Sequence, residues 1–165
     1  MVPSWVPESI ADALYDIESR NIGYDSLGDA MENPAFRKFS KAYSKFSLRR
    51  EAKDVLRELK GRGYKLGLIS NTHTSAPKEV LEESGLSEYF DAALYSNEEG
   101  IEKPESGLFV RAAMRVGSKP ENCAYVGNSK PLDYDGSLNA GYAKAVLVSG
   151  KNGIKNLREL LEIFD

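Results

Sequence analysis

One cysteine, one histidine and one tryptophan occur in the 165 residues. A lone Cys123 excludes an internal disulfide and any cysteine-rich zinc site. An excess of one charge is also missing. Lys and Arg number 22 against 25 Asp and Glu, a net charge of −3. That balance offers nucleic acid no electrostatic footprint, which needs a basic surplus on at least one face. No apolar run approaches the roughly 18 residues that a membrane span needs. The first residues, Met1-Val2-Pro3-Ser4-Trp5, lack a basic start and a long apolar stretch, so no signal peptide is expected. These absences set the expectation of a soluble cytoplasmic protein with neither nucleic acid nor membrane as partner. What is present is ordinary: 41% of the residues are hydrophobic. A chain of this length buries roughly 70% of its unfolded surface and needs no metal or disulfide to hold a core.

The pattern changes near residue 47. Before it there is only helical periodicity. Ile10, Leu14 and Ile17 form one apolar stripe. Asn33-Pro34 opens a second helix with a capping residue and a first-turn proline. Phe36, Phe39, Tyr43 and Phe46 mark its core face, and Arg37, Lys38, Lys41 and Lys45 its solvated face. After residue 47 comes a helix over 48–60, with Gly61 placed to end it. Four short apolar runs follow, at 66–69, 92–95, 123–126 and 145–148. They are nearly continuous rather than alternating, as in parallel strands buried on both faces. Helical stretches at 76–83, 106–116 and 132–140 separate them, and one over 156–164 closes the chain. Strand alternating with helix predicts an α/β fold, a parallel sheet covered on both sides.

In such a sheet, ligands bind beyond the carboxyl ends of the strands. Those ends read Ser70-Asn71-Thr72-His73-Thr74, Ser96-Asn97-Glu98-Glu99, Gly127-Asn128-Ser129 and Ser149-Gly150-Lys151. All are small and polar, and free N–H groups at helix starts can hold phosphate oxygens. Lys103-Pro104 can bring one ammonium to the same rim. Taken singly, each stretch reads as turn chemistry. The single His73 reads as a surface-loop residue and Cys123 as a small core residue.

Taken together, three stretches resemble motifs II, III and IV of the haloacid dehalogenase (HAD) superfamily. They are Leu68-Ile69-Ser70-Asn71-Thr72, then Gly100-Ile101-Glu102-Lys103-Pro104, then Tyr125-Val126-Gly127-Asn128-Ser129 with Asp133, Gly136 and Ala140-Gly141. The resemblance implies a Rossmannoid three-layer sandwich over residues 48–165, with a small helical, cap-like segment over 1–47. The superfamily's phosphohydrolases attack phosphorus with the first Asp of an Asp-x-Asp motif I. The second Asp serves as acid and base, and Mg²⁺ sits between this pair and an acidic motif IV. Carried over, Ser70, Asn71 and Thr72 contact phosphate, with Ser70 and Lys103 in catalytic roles. Asn128 and Asp133 stand at the metal side. The implied partner is a small phosphorylated molecule or the phosphate ion, with Mg²⁺ as cofactor if the chain is active. A homo-oligomer is left open.

Two departures matter. No apolar strand ending in Asp-x-Asp precedes residue 48, and Asp16, Asp25 and Asp29 lie in helical or polar contexts. Asn128 stands where the motif IV pattern has an acid, and an amide brings Mg²⁺ no charge. The leading expectation is therefore a HAD-like protein, catalytically impaired for lack of its nucleophile, that keeps a residual phosphate pocket. The alternatives are an active phosphomonoesterase whose motif I lies outside this chain or on a partner, and a non-enzymatic assembly module. A dehalogenase also needs the motif I Asp and is less favoured. The absent strand belongs between those ending at Ser70 and Val126. The expectation is that these two close up and pair directly, giving a four-stranded parallel sheet.

Overall fold

The computed structural model describes residues 49–73, 75–148 and 150–165. They lie in one compact unit of the chain, Leu48–Asp165. The expected helices before residue 48 and the cap-like segment lie outside the described residues, as do Thr74 and Ser149 of the strand-end stretches.

Helix α1, Ala52–Gly61, buries Val55 and Leu59 on one face. Past it the chain turns at Gly63, whose φ of +87° suits glycine. Strand β1 is Gly67–Ser70 and helix α2 is Ala76–Glu83, with Pro77 in its first turn. Strand β2, Ala92–Tyr95, runs straight into a short helix α3, Ser96–Glu99. Helix α4, Ser106–Arg115, buries Leu108, Phe109, Ala112 and Ala113. Strand β3 is Ala124–Gly127. A wide π turn over Lys130–Asp135 passes into helix α5, Gly136–Asn139. Strand β4 is Lys144–Leu147, and a 3-10 turn at Leu157–Glu159 leads into α6, Leu160–Ile163.

The four apolar runs are thus all strands, each within one residue of its expected bounds. Stretch 96–99, read from the sequence as a polar strand end, is a helix. Expected helix 132–140 is split, its first turn widened behind the Ser129 cap, whose Oγ accepts from the Leu132 N–H at 3.3 Å.

The strands pair in parallel, β1 with β2 and β3 with β4. Among the described residues these are two separate two-stranded sheets. The expected direct pairing of β1 with β3 is therefore wrong. The described ladder hydrogen bonds of 66–70 go to the β2 side and those of 124–127 to the β4 side, while the Asn122 and Cys123 N–H groups close a turn onto the Lys119 and Pro120 carbonyls. A side chain spans the interval instead: the Tyr125 hydroxyl donates to the Ile69 carbonyl at 3.4 Å. The reason is packing. Helix α4 packs on the first sheet through Leu108 and Ala112 and on the second through Phe109 and Ala113, so the two sheets are joined through this helix.

The core falls into clusters on the two sheet faces. Val55, Leu59 and Leu160 join α1 to α6 on one face. On the other, Leu94, Leu108 and Ala112 pack α4 against the first sheet, and Phe109, Ala113 and Tyr142 pack it against the second. Only β2 carries fully buried strand residues, Leu94 and Tyr95. β1, β3 and β4 are each exposed at the first residue and half-buried over the other three. Cys123 is half-buried and packs against the cluster of Phe109, Ala113 and Tyr142; its thiol lies 3.2 Å from the Lys119 carbonyl.

Candidate functional site

The carboxyl ends of β1 and β3 face the loop that carries Lys103. Asn71 fixes this loop with its side chain. The Lys103 N–H donates to Asn71 Oδ1 at 2.9 Å, and Asn71 Nδ2 donates to the Lys103 carbonyl at 3.0 Å. A two-bond clamp of this kind sets where the Lys103 side chain starts. The ammonium then donates to Asp133 Oδ1 at 2.6 Å and to the Tyr125 hydroxyl at 3.1 Å. The Lys103 and Asp133 side chains are 12% and 4% exposed. In so dry a setting a charge needs its partner.

Asp133 is held from the other side as well. Its Oδ2 accepts from the N–H groups of Asn128 at 3.0 Å and Ser129 at 2.9 Å. The carboxylate lies across Gly127, where any Cβ would collide with the Asp133 side chain. Glycine ends β3 for this reason. Tyr125 completes the network. Burial pushes its phenol well above the usual range, and the Asp133 charge adds to the effect. The hydroxyl therefore stays protonated; it accepts from Lys103 while donating to Ile69. Edge-to-face packing fixes the ring, its centroid 5.1 Å from that of Phe109.

The expected site residues divide as follows. Ser70, Asn71, Lys103, Asn128 and Asp133 belong to one rim. The Ser70 side chain takes no hydrogen-bond partner among the described residues, so its hydroxyl is available to a ligand. Thr72 is turned inward at 4% exposure. Its N–H donates to Ser96 Oγ at 2.8 Å, and that hydroxyl donates back to the Thr72 carbonyl at 3.0 Å, so this N–H is not available to phosphate. His73 borders a separate open cavity of about 170 Å³ with Ser96, Glu102 and Glu105, below the roughly 300 Å³ at which ligand pockets begin. Sequence reasoning missed Tyr125 and the Asn71 side chain. Only the placement of Tyr125 three residues before Asn128, in a strand otherwise built of small apolar groups, offered a signal.

A Mg²⁺ ion is held by several oxygens, usually one or two carboxylates with water and substrate phosphate. The described residues do not fit one by themselves. Both Asp133 oxygens are spent on three donors, Asn128 brings a neutral amide, and no three His, Cys, Asp or Glu side chains gather among the described residues.

A parallel α/β unit whose strand-end loops converge on a lysine–aspartate pair defines the class. The sequence profile of the haloacid dehalogenase-like hydrolases matches residues 11–141, and the chain belongs to this family. It is 41% identical over 97 residues to a glyceraldehyde 3-phosphate phosphatase of Methanothermobacter thermautotrophicus, covering 59% of this chain and 42% of that protein. An N-acylneuraminate-9-phosphatase of Homo sapiens is 33% identical over 112 residues, covering 68% and 44%. Among solved structures, a HAD phosphatase from Thermococcus onnurineus superposes with a TM-score of 0.72 at 25% identity, over 95% of this chain and 80% of that one. The chain spans under half the length of these two curated relatives. No helix among the described residues is long and apolar enough to cross a membrane.

Proposed function

We propose that this chain supplies the phosphoryl-binding side of a phosphatase acting on a small phosphorylated molecule. The observation that carries this reading is the Lys103 ammonium, held by Asp133 and Tyr125 on a loop that the Asn71 side chain clamps, beside the Ser70 hydroxyl. Phosphate oxygens accept from such donors, and charge-assisted bonds of this type are the strong ones. Lys103 offsets phosphoryl charge and Ser70 donates to a second oxygen. The relatives named above are phosphatases, which supports an active role over an impaired one.

The attacking carboxylate comes from outside the described residues, since Asp133 is fully engaged. A catalytically impaired protein is the second reading, favoured by Asn128 in the place of an acid. Both readings require an anion site at Lys103. Titrating the full chain with inorganic phosphate tests it. The amide signals of Ser70, Asn71 and Lys103 shift, and Lys103→Ala abolishes the shifts. Absence of any shift in the parent chain refutes the reading. Release of phosphate from a panel of phosphomonoesters then separates the active protein from the impaired one.

A further inference from the structure

Asp133 and Tyr125 hold the tip of Lys103, and the Asn71 side chain holds its backbone. The direction from which its loop arrives is set upstream, at α3. The last residue of that helix, Glu99, stands four positions before the lysine. Gly100 follows with a φ of +69°, so the chain turns sharply as it leaves the helix. Ile101 then packs against Leu94, Leu108 and Ala112 before the loop reaches Lys103.

A helix of one turn does not hold itself, because its first hydrogen bond fixes several dihedrals at once. In α3 that bond runs from the Gly100 N–H to the Ser96 carbonyl, 3.0 Å long. The shape of α3 is therefore imposed at its ends. At the first, the Ser96 hydroxyl exchanges hydrogen bonds with the Thr72 backbone. At the last, Glu99 is gripped by α4. Arg111 Nη1 donates to Glu99 Oε2 at 2.7 Å and to the Glu99 carbonyl at 3.1 Å, and Arg115 Nη1 lies 2.6 Å from Oε1. The two arginines are four residues apart and so share one face of the helix. Exposed ion pairs contribute little. This carboxylate is only 7% exposed, and both of its oxygens take charged donors, which makes the grip directional as well as strong. Helix α4 also carries Phe109, which packs edge-to-face on Tyr125. One helix thus reaches the lysine twice, at its tip through Tyr125 and along its loop through Glu99.

We propose that Glu99 is a positioning residue for Lys103: held by Arg111 and Arg115, it fixes the end of α3 from which the lysine loop departs. Both Glu99 oxygens are engaged, so it acts through the loop and not on a ligand. Its bearing on phosphate rests on the reading of Lys103 as the phosphoryl contact; its hold on the loop does not.

Glu99→Gln keeps the shape of the side chain and removes its charge. In the full chain, exchange of the Lys103 N–H that donates to Asn71 should speed up about tenfold, with α2 and β4 unchanged. The phosphate dissociation constant, read from the Ser70 and Lys103 amide shifts, should rise roughly three- to tenfold. Arg111→Gln/Arg115→Gln should reproduce both effects. Adding Glu99→Gln to that pair should change little more, because the three side chains act as one unit. A merely structural role has another signature, a uniform acceleration across the domain that follows the drop in urea midpoint. That result overturns the proposal. So do unchanged Lys103 exchange in Glu99→Gln, additive effects in the triple variant, or an unchanged phosphate affinity when the parent binds. If Glu99→Gln does not fold, Arg115→Gln removes one bond of the grip and is read in the same way, with a smaller acceleration expected. A parent chain that binds no phosphate refutes the phosphoryl reading of Lys103, while the exchange result still decides the role of Glu99.

Discussion

Replacing Asp133 with alanine removes one end of the most enclosed ion pair described in this structure. The loss can be worked from its contacts. The Lys103 side chain, 12% exposed, loses the 2.6 Å acceptor that offsets its desolvation. The Asn128 and Ser129 N–H groups lose their acceptor at the same time. Breaking a buried pair from one side costs about 3–5 kcal/mol. The orphaned N–H groups add less than their full desolvation cost, since the vacated space admits water. Against a total stability of roughly 5–15 kcal/mol for a domain, that is about a fifth or more. In urea the unfolding midpoint should fall by about 2 M, for a slope of about 1–3 kcal/mol per M. The double variant Lys103→Met/Asp133→Leu should recover part of the loss, because an apolar pair replaces both charges, while the Asn128 and Ser129 N–H groups stay without their acceptor. A loss below about 1 kcal/mol for Asp133→Ala, the range of exposed pairs, would refute the claim that this pair is dry.

Two more outcomes follow from the same coordinates. Gly127→Ala drives a Cβ into Asp133, which is tethered at both oxygens, so it should cost about 1–3 kcal/mol in urea unfolding and weaken the phosphate-induced shift at Lys103. Asp91 is held down to about 2, first by Lys60, whose ammonium binds both of its oxygens, and then by the Leu66 N–H, against an ordinary value of 3.8. A depressed carboxyl stabilises the folded state above its unfolded value and loses that contribution as pH falls through its folded one. Thermal melts should therefore drop between about pH 4 and pH 2. The drop should be shallower in Asp91→Asn, and an unchanged slope would remove Asp91 from the acid response.

What distinguishes the rim is the economy of Asp133. One carboxylate orients the lysine, caps the turn after β3 and fixes the end of the strand. Its three donors come from residues 103, 128 and 129. The group that a sequence motif marks as a metal-side acid is thus, in the described structure, the hub that positions Lys103.

The sequence by itself determined the local elements. Continuous apolar runs placed all four strands, and the residues at their carboxyl ends marked the rim, because strand formation and turn chemistry depend on neighbours a few positions apart. It also carried the family resemblance over the three motifs. Tertiary structure alone decided the rest. The Asn71 clamp on Lys103 joins residues 32 apart, the Lys103–Asp133 bond residues 30 apart, and the Tyr125–Ile69 bond residues 56 apart. No periodicity encodes such pairs. The separation of β1 from β3 was likewise hidden, since an apolar run states that a strand wants burial but not which edge will find a partner. That choice is made only as the helices pack, α4 meeting the first sheet beside Leu94 and the second beside Tyr125.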